Sequence, residues 1–482
     1  MTPIQSRARG GAVTGAVLGL LMSVTALAQD AHYTTRQFGN RAWLLGGAFV
    51  GDPRDISAVY YNPGALALLG APELELTGSV YEYTHVNVKD GQGQGRGLAD
   101  SNVDVLPSLI AGSLRFGFLG KSRMAYSLLT RQGFEYSLQT RGTRMGMDLA
   151  GVRGMDSLSS DVRLDQSVSE YWTGLSWAYP VTEHLGLGLT PFVASRHHEL
   201  RFQTLAQGSG AAGQQLLATL GRDLELDHVR VLLKVGASYQ HGPWAVGLAV
   251  TTPSVALWGR GSAGLERAVQ SQGFDTNARA PVFNYQEDLP ADFRNSWGAA
   301  LGASRSFGST TVYASLEGYA RVSTVTLLDT EPIMPRDSPE VIDGDYAFAL
   351  KPVLNGALGV EHPLGERVRA YLSGHTDFSA LDQTPGTNAL LGGWDLYHVA
   401  SGIHFLLGRS RFTFGGNLAW GSKQTDRFAD TLQQLGLTSS MSTQDVRYFQ
   451  VTLLVGASFS FKDTRGPGDK AGEEAAPDAE SP

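Results

Sequence analysis

The sequence predicts an all-β membrane protein, an antiparallel up-and-down transmembrane β-barrel of about fourteen strands whose lumen is plugged by an N-terminal hatch. Stretches of alternating apolar and polar residues recur from Glu73 to Phe461. Short and long connections alternate between these stretches, as they do in membrane barrels. An apolar segment without such alternation precedes the first strand, which indicates a separate element inside the wall.

The last strand shows the pattern most clearly. Between Tyr448 and Phe461 the odd positions are apolar, whereas the even positions are mostly Gln, Thr, Gly and Ser, and aromatic residues flank both ends. One face therefore suits hydrocarbon and the other tolerates water, which is typical of a transmembrane β-strand. Because a strand in lipid cannot leave its edge groups unpaired, such a chain has to close on itself.

Alternation places the strands, and the connection lengths orient the barrel. The predicted strands are 73–88, 104–119, 121–140, 161–180, 183–206, 222–240, 243–260, 289–307, 309–329, 344–362, 366–381, 394–408, 410–427 and 442–461. Short turns suited to periplasmic hairpins are predicted at 120–121, 181–182, 242–243, 308–309, 365–366 and 408–409. The longer connections, 89–103, 141–160, 207–221, 261–288, 330–343, 382–393 and 428–441, are then extracellular.

The N-terminal sequence predicts an export signal. Arg7 and Arg9 precede an apolar run over 12–27, and a small-x-small cleavage motif ends at Ala28, so residues 1–28 are predicted to be a signal peptide. A single anchor helix is the alternative, but the run is rich in small residues and is followed directly by the cleavage motif. The 482 residues include no Cys, so stability has to come from a closed, hydrogen-bonded wall.

Two further segments lie outside the predicted wall at 73–461. Residues 29–72 contain apolar runs at 43–50 and 65–69 that need burial, and the lumen of so wide a barrel is the economical place for them. We therefore predict that 29–72 is a hatch. Residues 462–482 are rich in Pro, Glu, Ala and Gly and lack aromatics, which predicts a disordered periplasmic tail.

Composition limits the partners. The formal charge of −8 offers no basic stripe for nucleic acid, and the low charged fraction of 17% suits a membrane wall. The expected location is the outer membrane of a diderm bacterium, with lipopolysaccharide as surroundings, the barrel assembly machinery as insertion partner and a monomer as the unit. No cofactor is expected.

The N-terminal residues resemble those of a known family. Gly46-Gly47-Ala48-Phe49, Asp52, Asp55 and the run from Ser57 to Pro63, which includes Asn62, are similar to the hatch of the FadL/TodX family of outer-membrane transporters of hydrophobic compounds and long-chain fatty acids. The strand Trp244 to Val255, with Thr-Thr-Pro-Ser at 251–254, also resembles that family, as does Leu289-Pro290. Gly64 departs from the Ala that usually follows Asn-Pro, and Phe461, unlike a usual terminal aromatic, is followed by more chain.

The resemblance implies passive uptake. Loops would capture a hydrophobic molecule, a lumen pocket at the hatch, to which Phe49 is assigned, would hold it, and a kinked third strand would release it sideways. Gly133 and Phe134 lie in the predicted third strand, where an interior Gly favours a bulge that opens a lateral gate. The alternative is that Gly133 only provides room in a barrel with 59 Gly.

Two predicted loops are candidates for capture. Apolar residues at helical spacing in 207–221 predict a short amphipathic helix, and those in 261–288 have similar spacing, so both loops are expected to form one groove. An equally good interpretation is that the helix is a cap packed against neighbouring loops. The substrate-binding residues proposed in these loops are Leu216, Leu217, Leu220 and Phe274.

Other functions fit less well. The histidines His197, His198, His375, His398 and His404 lack metal-site spacing, and the inward parity of the last two is typical of a solvated interior. No nucleophile lies in a recognisable strained turn, as an enzyme would need, and an apolar plug opposes free ion flow through a porin. One alternative stays open: a plugged barrel that acts as a scaffold for secretion or surface-assembly partners.

Overall fold

The computed structural model describes residues 31–460 except 71–72, 89–97, 115, 117, 119, 150–151, 276–279, 336–338, 340, 343, 383–392 and 426–443. The predicted signal peptide and C-terminal tail lie outside the described residues. Within the described part, no helix is long and apolar enough to cross a membrane.

Strands dominate the chain. They are β1 Glu73–Val88, β2 Leu98–Leu114, β3 Arg123–Met145, β4 Ser157–Pro180, β5 Leu185–Ser209, β6 Gln215–His241, β7 Trp244–Thr251, β8 Val255–Gln272, β9 Val282–Pro290, β10 Gly298–Phe307, β11 Thr310–Tyr319, β12 Val322–Leu328, β13 Tyr346–Leu350, β14 Val353–Pro363, β15 Val368–Asp377, β16 Asp395–Leu407, β17 Ser410–Thr425 and β18 Gln444–Ser460.

These segments form a closed antiparallel barrel. Neighbouring strands pair in chain order, β1 pairs with β18, and the β5–β6 pairing completes the ring. In four places two consecutive segments together form one strand of the wall: β7 with β8, β9 with β10, β11 with β12 and β13 with β14. The eighteen segments therefore make fourteen wall strands. The predicted fold class and strand number are confirmed.

Three of the turns predicted at one end of the barrel, 242–243, 308–309 and 408–409, are tight two-residue hairpins. Gly120, Gly242, Gly308 and Gly408 have φ between 57° and 63°, a left-handed conformation that a residue with a side chain rarely adopts. We call this end the short-turn end and the opposite one the long-loop end.

The outward face carries an apolar belt. In β18, Phe449, Leu453 and Val455 are exposed, whereas their even-numbered neighbours point inward and are buried, as the alternation predicted. Exposed aromatics such as Trp244 and Phe307 lie at the short-turn side of the belt, and Trp297 lies on its other side. Aromatic residues at both borders of an apolar band are typical of a wall that spans a bilayer.

Four of the predicted strands are each divided into two segments in the structure. Gaps at 252–254, 291–297, 320–321 and 351–352 divide strands seven to ten. Strand β12 forms a small separate sheet with β13 and one isolated bridge, from Leu328 to Ala291. The prediction of 261–288 as a loop is wrong, because β8 and β9 fill most of it and pair with each other. Pro253 and Pro352 lie in two of the gaps, and Pro cannot donate to a ladder.

The long-loop end is built from strands rather than loops. The ladders β3–β4, β4–β5 and β5–β6 continue to Met145, Ser157 and Ser209, so the connections there shorten to 146–156 and 210–214. The predicted loop 207–221 is therefore wrong. Most of it pairs as β5 and β6, and its backbone groups gain ladder bonds that a short isolated helix would lack.

The N-terminal segment, residues 31–69, is almost entirely buried. It contains α1 Asn40–Leu44, α2 Ala58–Tyr61 and a 3₁₀ helix Pro63–Leu68. The first helix contacts β1 and β15 to β18, and the 3₁₀ helix contacts β3 to β6, so the segment touches opposite sides of the wall from within. The described part of the predicted hatch therefore lies inside the wall, and that it plugs the lumen stays a prediction.

Glycines in the wall allow the segment to dock closely. A Cβ added at Gly188 would lie 2.3 Å from the Pro63 carbonyl oxygen, and one at Gly236 would lie 2.3 Å from Asn62 Oδ1. Gly64 meets the same surface, since its Cβ would lie 2.6 Å from the Gly236 carbonyl oxygen. The departure from Ala at position 64 therefore has a steric reason.

We expect Gly188→Ala to loosen the N-terminal segment. The new methyl group overlaps the Pro63 backbone, and such overpacking typically costs about 1–3 kcal/mol. The measurement is conductance in planar bilayers, which should rise, together with the unfolding temperature of the barrel on gels, which should fall. Gly356→Ala is the matched control, because its nearest neighbour would be the flexible Leu316 side chain at 3.5 Å. Equal behaviour of both variants would contradict the glycine contact.

Candidate functional site in the lumen

The proposed capture residues lie on a strand and not on a helix. In β6, Leu216 and Leu220 point inward and are 3% exposed, whereas Leu217 points outward and is 39% exposed. The predicted amphipathic helix is wrong, because the same spacing also satisfies strand alternation. Leu216, Leu220 and the buried Phe274 do belong to one apolar cluster in the half of the barrel near the long loops, which we call the upper cluster.

Phe49 lies elsewhere, in the core of the N-terminal segment. Its ring packs edge-on against Tyr61 at 5.8 Å and lies under the Arg41 guanidinium at 5.4 Å. Tyr61 in turn accepts a hydrogen bond from the Phe38 backbone and donates to Gln37, and burial raises the pKa of its phenol well above the usual value. The residues proposed to bind substrate are therefore divided between two clusters.

The hatch motif has a structural role in this docking. Asp55 accepts hydrogen bonds from the backbone and hydroxyl of Ser57 at the start of α2. Asn62 donates to the carbonyl oxygens of Val50 and Ala237 at 3.0 and 2.9 Å, which ties the segment to β6, and Pro63 begins the 3₁₀ helix. Asn62 thus satisfies two buried acceptors with one side chain.

The third strand has its bulge at Arg131. Thr130 lies opposite Tyr171 and Gln132 opposite Glu170, so Arg131 is the extra residue and points into the barrel. Gly133 itself pairs regularly with Ser169. Phe134 points inward, is 7% exposed and packs against Tyr136.

A gap in the wall lies beside this bulge. Among the described residues of β2, only 109–114 pair with β3, whereas 98–107 pair with β1 alone. The rest of β3, from Thr130 onward, pairs with β4 alone. Among the contacts between the two edges, the Asn102 side chain donates to the Glu135 carbonyl oxygen at 3.3 Å. A barrel wall in lipid is normally continuous, so this interruption is a specific feature of the fold.

The start of the N-terminal segment closes the gap from inside. Arg36 donates to the Gly133 carbonyl oxygen at 2.7 Å and pairs with Glu82 of β1 at 2.9 Å. Gln132 donates to the His32 carbonyl oxygen, and Arg131 donates to that of Tyr33, both at 3.0 Å. The N-terminal segment thus satisfies the Gly133 carbonyl group, and the side chains of Arg131 and Gln132 satisfy two carbonyl groups of the segment.

Buried charged side chains lie close to the bulge at Arg131. Glu170 pairs with Arg196 at 3.0 Å and with Arg230 at 2.6 Å, and both guanidinium groups lie over the Phe293 ring. Arg131 is 6% exposed, and among the described residues no carboxylate forms an ion pair with it. Arg131 is the third guanidinium group close to Glu170, and it lies over the Trp172 ring at 5.7 Å. The sequence reasoning missed these residues, although Glu170, Arg196 and Arg230 share the inward parity of their strands.

Histidines anchor the opposite side of the segment. Asp377 accepts from the backbones of Tyr33 and Thr34 and pairs with His32 at 3.3 Å. His375 and His398 stack nearby at 4.2 Å. His398 and His404 point inward as predicted, but they are buried rather than solvated. Within the described part of the chain, no group of three or more His, Cys, Asp or Glu side chains is arranged to hold a metal ion.

Side chains of the hairpin β12–β13 also fill the lumen. Val325, Leu328, Tyr346 and Phe348 are buried in the upper cluster, and Phe348 stacks on Phe293 at 5.1 Å. The inner space is closely packed: the cavity bounded by His32, Tyr33, Arg131 and Glu170 has a volume of about 20 Å³, enough for one water molecule. A hollow of about 460 Å³ is lined by outward residues of the long strands, including Asp161, Arg163 and Asp223.

Comparison with known proteins finds the same fold in solved outer-membrane transporters. A Pseudomonas aeruginosa FadL homologue aligns with a TM-score of 0.62 at 10% identity over 89% of this chain and 100% of its own. The Pseudomonas putida toluene transporter TodX gives 0.53 at 13% identity over 88% and 99%, and the Ralstonia pickettii toluene transporter TbuX gives 0.51 at 15% over 88% and 99%. No family model and no curated protein matches the sequence. The predicted resemblance is confirmed in the fold.

Proposed function

We propose that this chain is an outer-membrane barrel that takes up hydrophobic molecules by passive diffusion. Three features support this: the fold shared with FadL-type and TodX-type transporters, an apolar upper cluster near the long loops, and a wall gap beside the third strand. The expected surroundings are lipopolysaccharide on the long-loop side, and the expected unit is a monomer inserted by the barrel assembly machinery.

The substrate class we favour is a long-chain carboxylic acid. The single observation that carries this choice is Arg131, a buried guanidinium without a carboxylate partner among the described residues, located at the bulge that borders the gap. A buried charge is costly unless it is paired, and a guanidinium binds a carboxylate through two parallel hydrogen bonds. A hydrocarbon such as toluene offers no such acceptor.

The route we propose begins at the upper cluster. A hydrocarbon tail would replace contacts among Leu216, Leu220 and Phe274, and the head would reach Arg131 below them. Since the inner cavity holds about one water, the structure corresponds to a closed state, and the passage of a solute requires displacement of 31–36. Residues 31–69 would act as the plug, and the gap beside Gly133 and Phe134 would release the solute into the membrane.

A scaffold for secretion or surface-assembly partners is the second candidate. It is favoured by the closely packed interior, which leaves no open tunnel beside Tyr33 and Arg131. A scaffold needs Arg131 only to hold the Tyr33 carbonyl group, a contact that requires no positive charge at the edge of a wall gap. Uptake measured with the purified, folded barrel in vesicles separates the two functions.

We expect Arg131→Met to slow uptake of a long-chain fatty acid roughly tenfold or more, since a hydrogen bond to a charged group contributes about 1.5–3 kcal/mol. Arg131→Lys, which keeps the positive charge, is the matched variant and should retain most of the rate. The assay follows radiolabelled palmitate and, in parallel, toluene. Toluene uptake should be unchanged, and equal losses for both solutes would argue against carboxylate recognition.

We expect Gly133→Val to slow palmitate uptake several-fold while the barrel stays folded. A β-branched side chain at this edge favours regular strand pairing and fills space between β2 and β3. The matched control is Gly318→Val, because Gly318 lies in an intact ladder between Ala299 and Leu354. Folded protein is quantified by resistance to heat in detergent. An unaltered rate in a fully folded Gly133→Val barrel would mean that the gap beside β3 is not the main exit.

A further inference from the structure

The wall has a second interruption, between strands eight and nine. The β10–β11 ladder ends at Gly298 and Tyr319, and one more bond follows, from the Ala320 backbone to the Trp297 carbonyl oxygen. Beyond it, no backbone hydrogen bond joins 293–296 to 321–326, although both ranges are fully described. We call this opening the window.

The window closes again at its far end with a changed register. Continued regular pairing would place Ala291 opposite Thr326, but Ala291 lies opposite Leu328. The Asp292 backbone donates to the Leu327 carbonyl oxygen at 3.0 Å. The strand that carries 321–326 therefore contains two extra residues, so the window has a fixed position and is not a frayed end.

Side chains satisfy the backbone along one edge of the window. His228 accepts from the Phe293 backbone at 3.3 Å, and Ser254 accepts from the Asn295 backbone at 3.0 Å. Asn295 also accepts from Arg230. A buried backbone group without a hydrogen-bond partner is costly, so these side chains stabilise the separated strand edge. Opening the window breaks no ladder bond.

The window lies at the border of the apolar belt. Trp297, at its lower edge, is 54% exposed, as expected for a residue of the aromatic girdle. Arg294 and Arg321 flank the opening on the outside with side chains 61% and 64% exposed, and they pair with Asp292 and Asp382. A molecule with an apolar tail and an anionic head fits this border, tail toward the lipid and head beside the arginines.

Both interruptions meet the same cavity. The cavity of about 20 Å³ is lined by Arg131 and Gln132 on the side of β3 and by Arg294 and Asn295 on the side of the window. Tyr33 spans it: its carbonyl oxygen accepts from Arg131, its hydroxyl lies 3.3 Å from that of Ser296, and its ring stacks on Tyr319 at 3.7 Å. Displacement of Tyr33 would therefore connect the cavity to both interruptions.

We propose that the window is a second lateral port, through which a long-chain carboxylate passes between the lumen and the outer leaflet independently of the gap beside Gly133. This inference rests on the proposed uptake function. It follows that closing the gap beside β3 slows uptake without abolishing it, because a parallel path remains.

The test closes each opening separately. The chain has no Cys, so Arg294→Cys with Ser323→Cys gives one defined pair, at positions that would be partners if the β10–β11 ladder continued. A short bismaleimide links this pair across the window. Ala299→Cys with Gly318→Cys, which are true ladder partners, is the control for the chemistry. Palmitate uptake is measured in reconstituted vesicles with and without Gly133→Val.

We expect the window link to lower uptake modestly by itself and to reduce it to the level of protein-free vesicles when combined with Gly133→Val. The control link should leave the rate of Gly133→Val unchanged. If the window link adds no loss, alone or in that combination, the port is wrong while uptake itself stands. If the wild-type barrel takes up no palmitate, the proposed function fails, and the port fails with it.

A photoreactive palmitate with a diazirine at the chain end provides an independent readout. We expect the probe to label peptides from 291–297 or 320–327 as well as from β3. In the barrel linked across the window, the labelling of 291–297 and 320–327 should be lost. Labelling confined to β2 and β3 would overturn the second port.

Discussion

The requirement that every backbone group in hydrocarbon has a hydrogen-bond partner governs this structure. Fourteen strands meet it by closing into a ring. Where the ring is interrupted, other groups supply the bonds: the N-terminal segment bonds to Gly133 and its neighbours at the third strand, and His228 and Ser254 bond to 293–295 at the window. The interruptions are therefore stable features of the wall.

The wall glycines are the second condition for this arrangement. The segment bonds to β3 only because it is seated deeply, and it is seated deeply because Gly188 and Gly236 let the backbone at Asn62 and Pro63 touch the strands. A side chain at these positions would hold the segment away from the wall. The high glycine content is thus explained in part by the inner surface and not by the turns alone.

The sequence predicted the architecture well, because alternation in β18 and the tight turns are local signals that the membrane enforces. It failed for Leu216, Leu217 and Leu220, which a helix could bring to one face, whereas in the strand Leu216 and Leu220 point inward and Leu217 outward. A longer stretch of sequence would have favoured a strand, since the inward even positions continue to Leu224 and Leu226. The bulge at Arg131 could not be predicted, because it depends on which residues of β4 lie opposite. The strand breaks had a partial signal in Pro253 and Pro352.

The buried charges help to distinguish a transport function from a scaffold function. Glu170 neutralises one of its two arginine partners, Arg196 and Arg230, and Arg131 adds a further cation beside them. A barrel whose interior only had to be filled would be more stable with apolar side chains of similar volume at these positions. Arg131, without a carboxylate ion-pair partner among the described residues, lies at the point where the lumen meets a gap. This position supports the proposal that a carboxylate-bearing solute binds there.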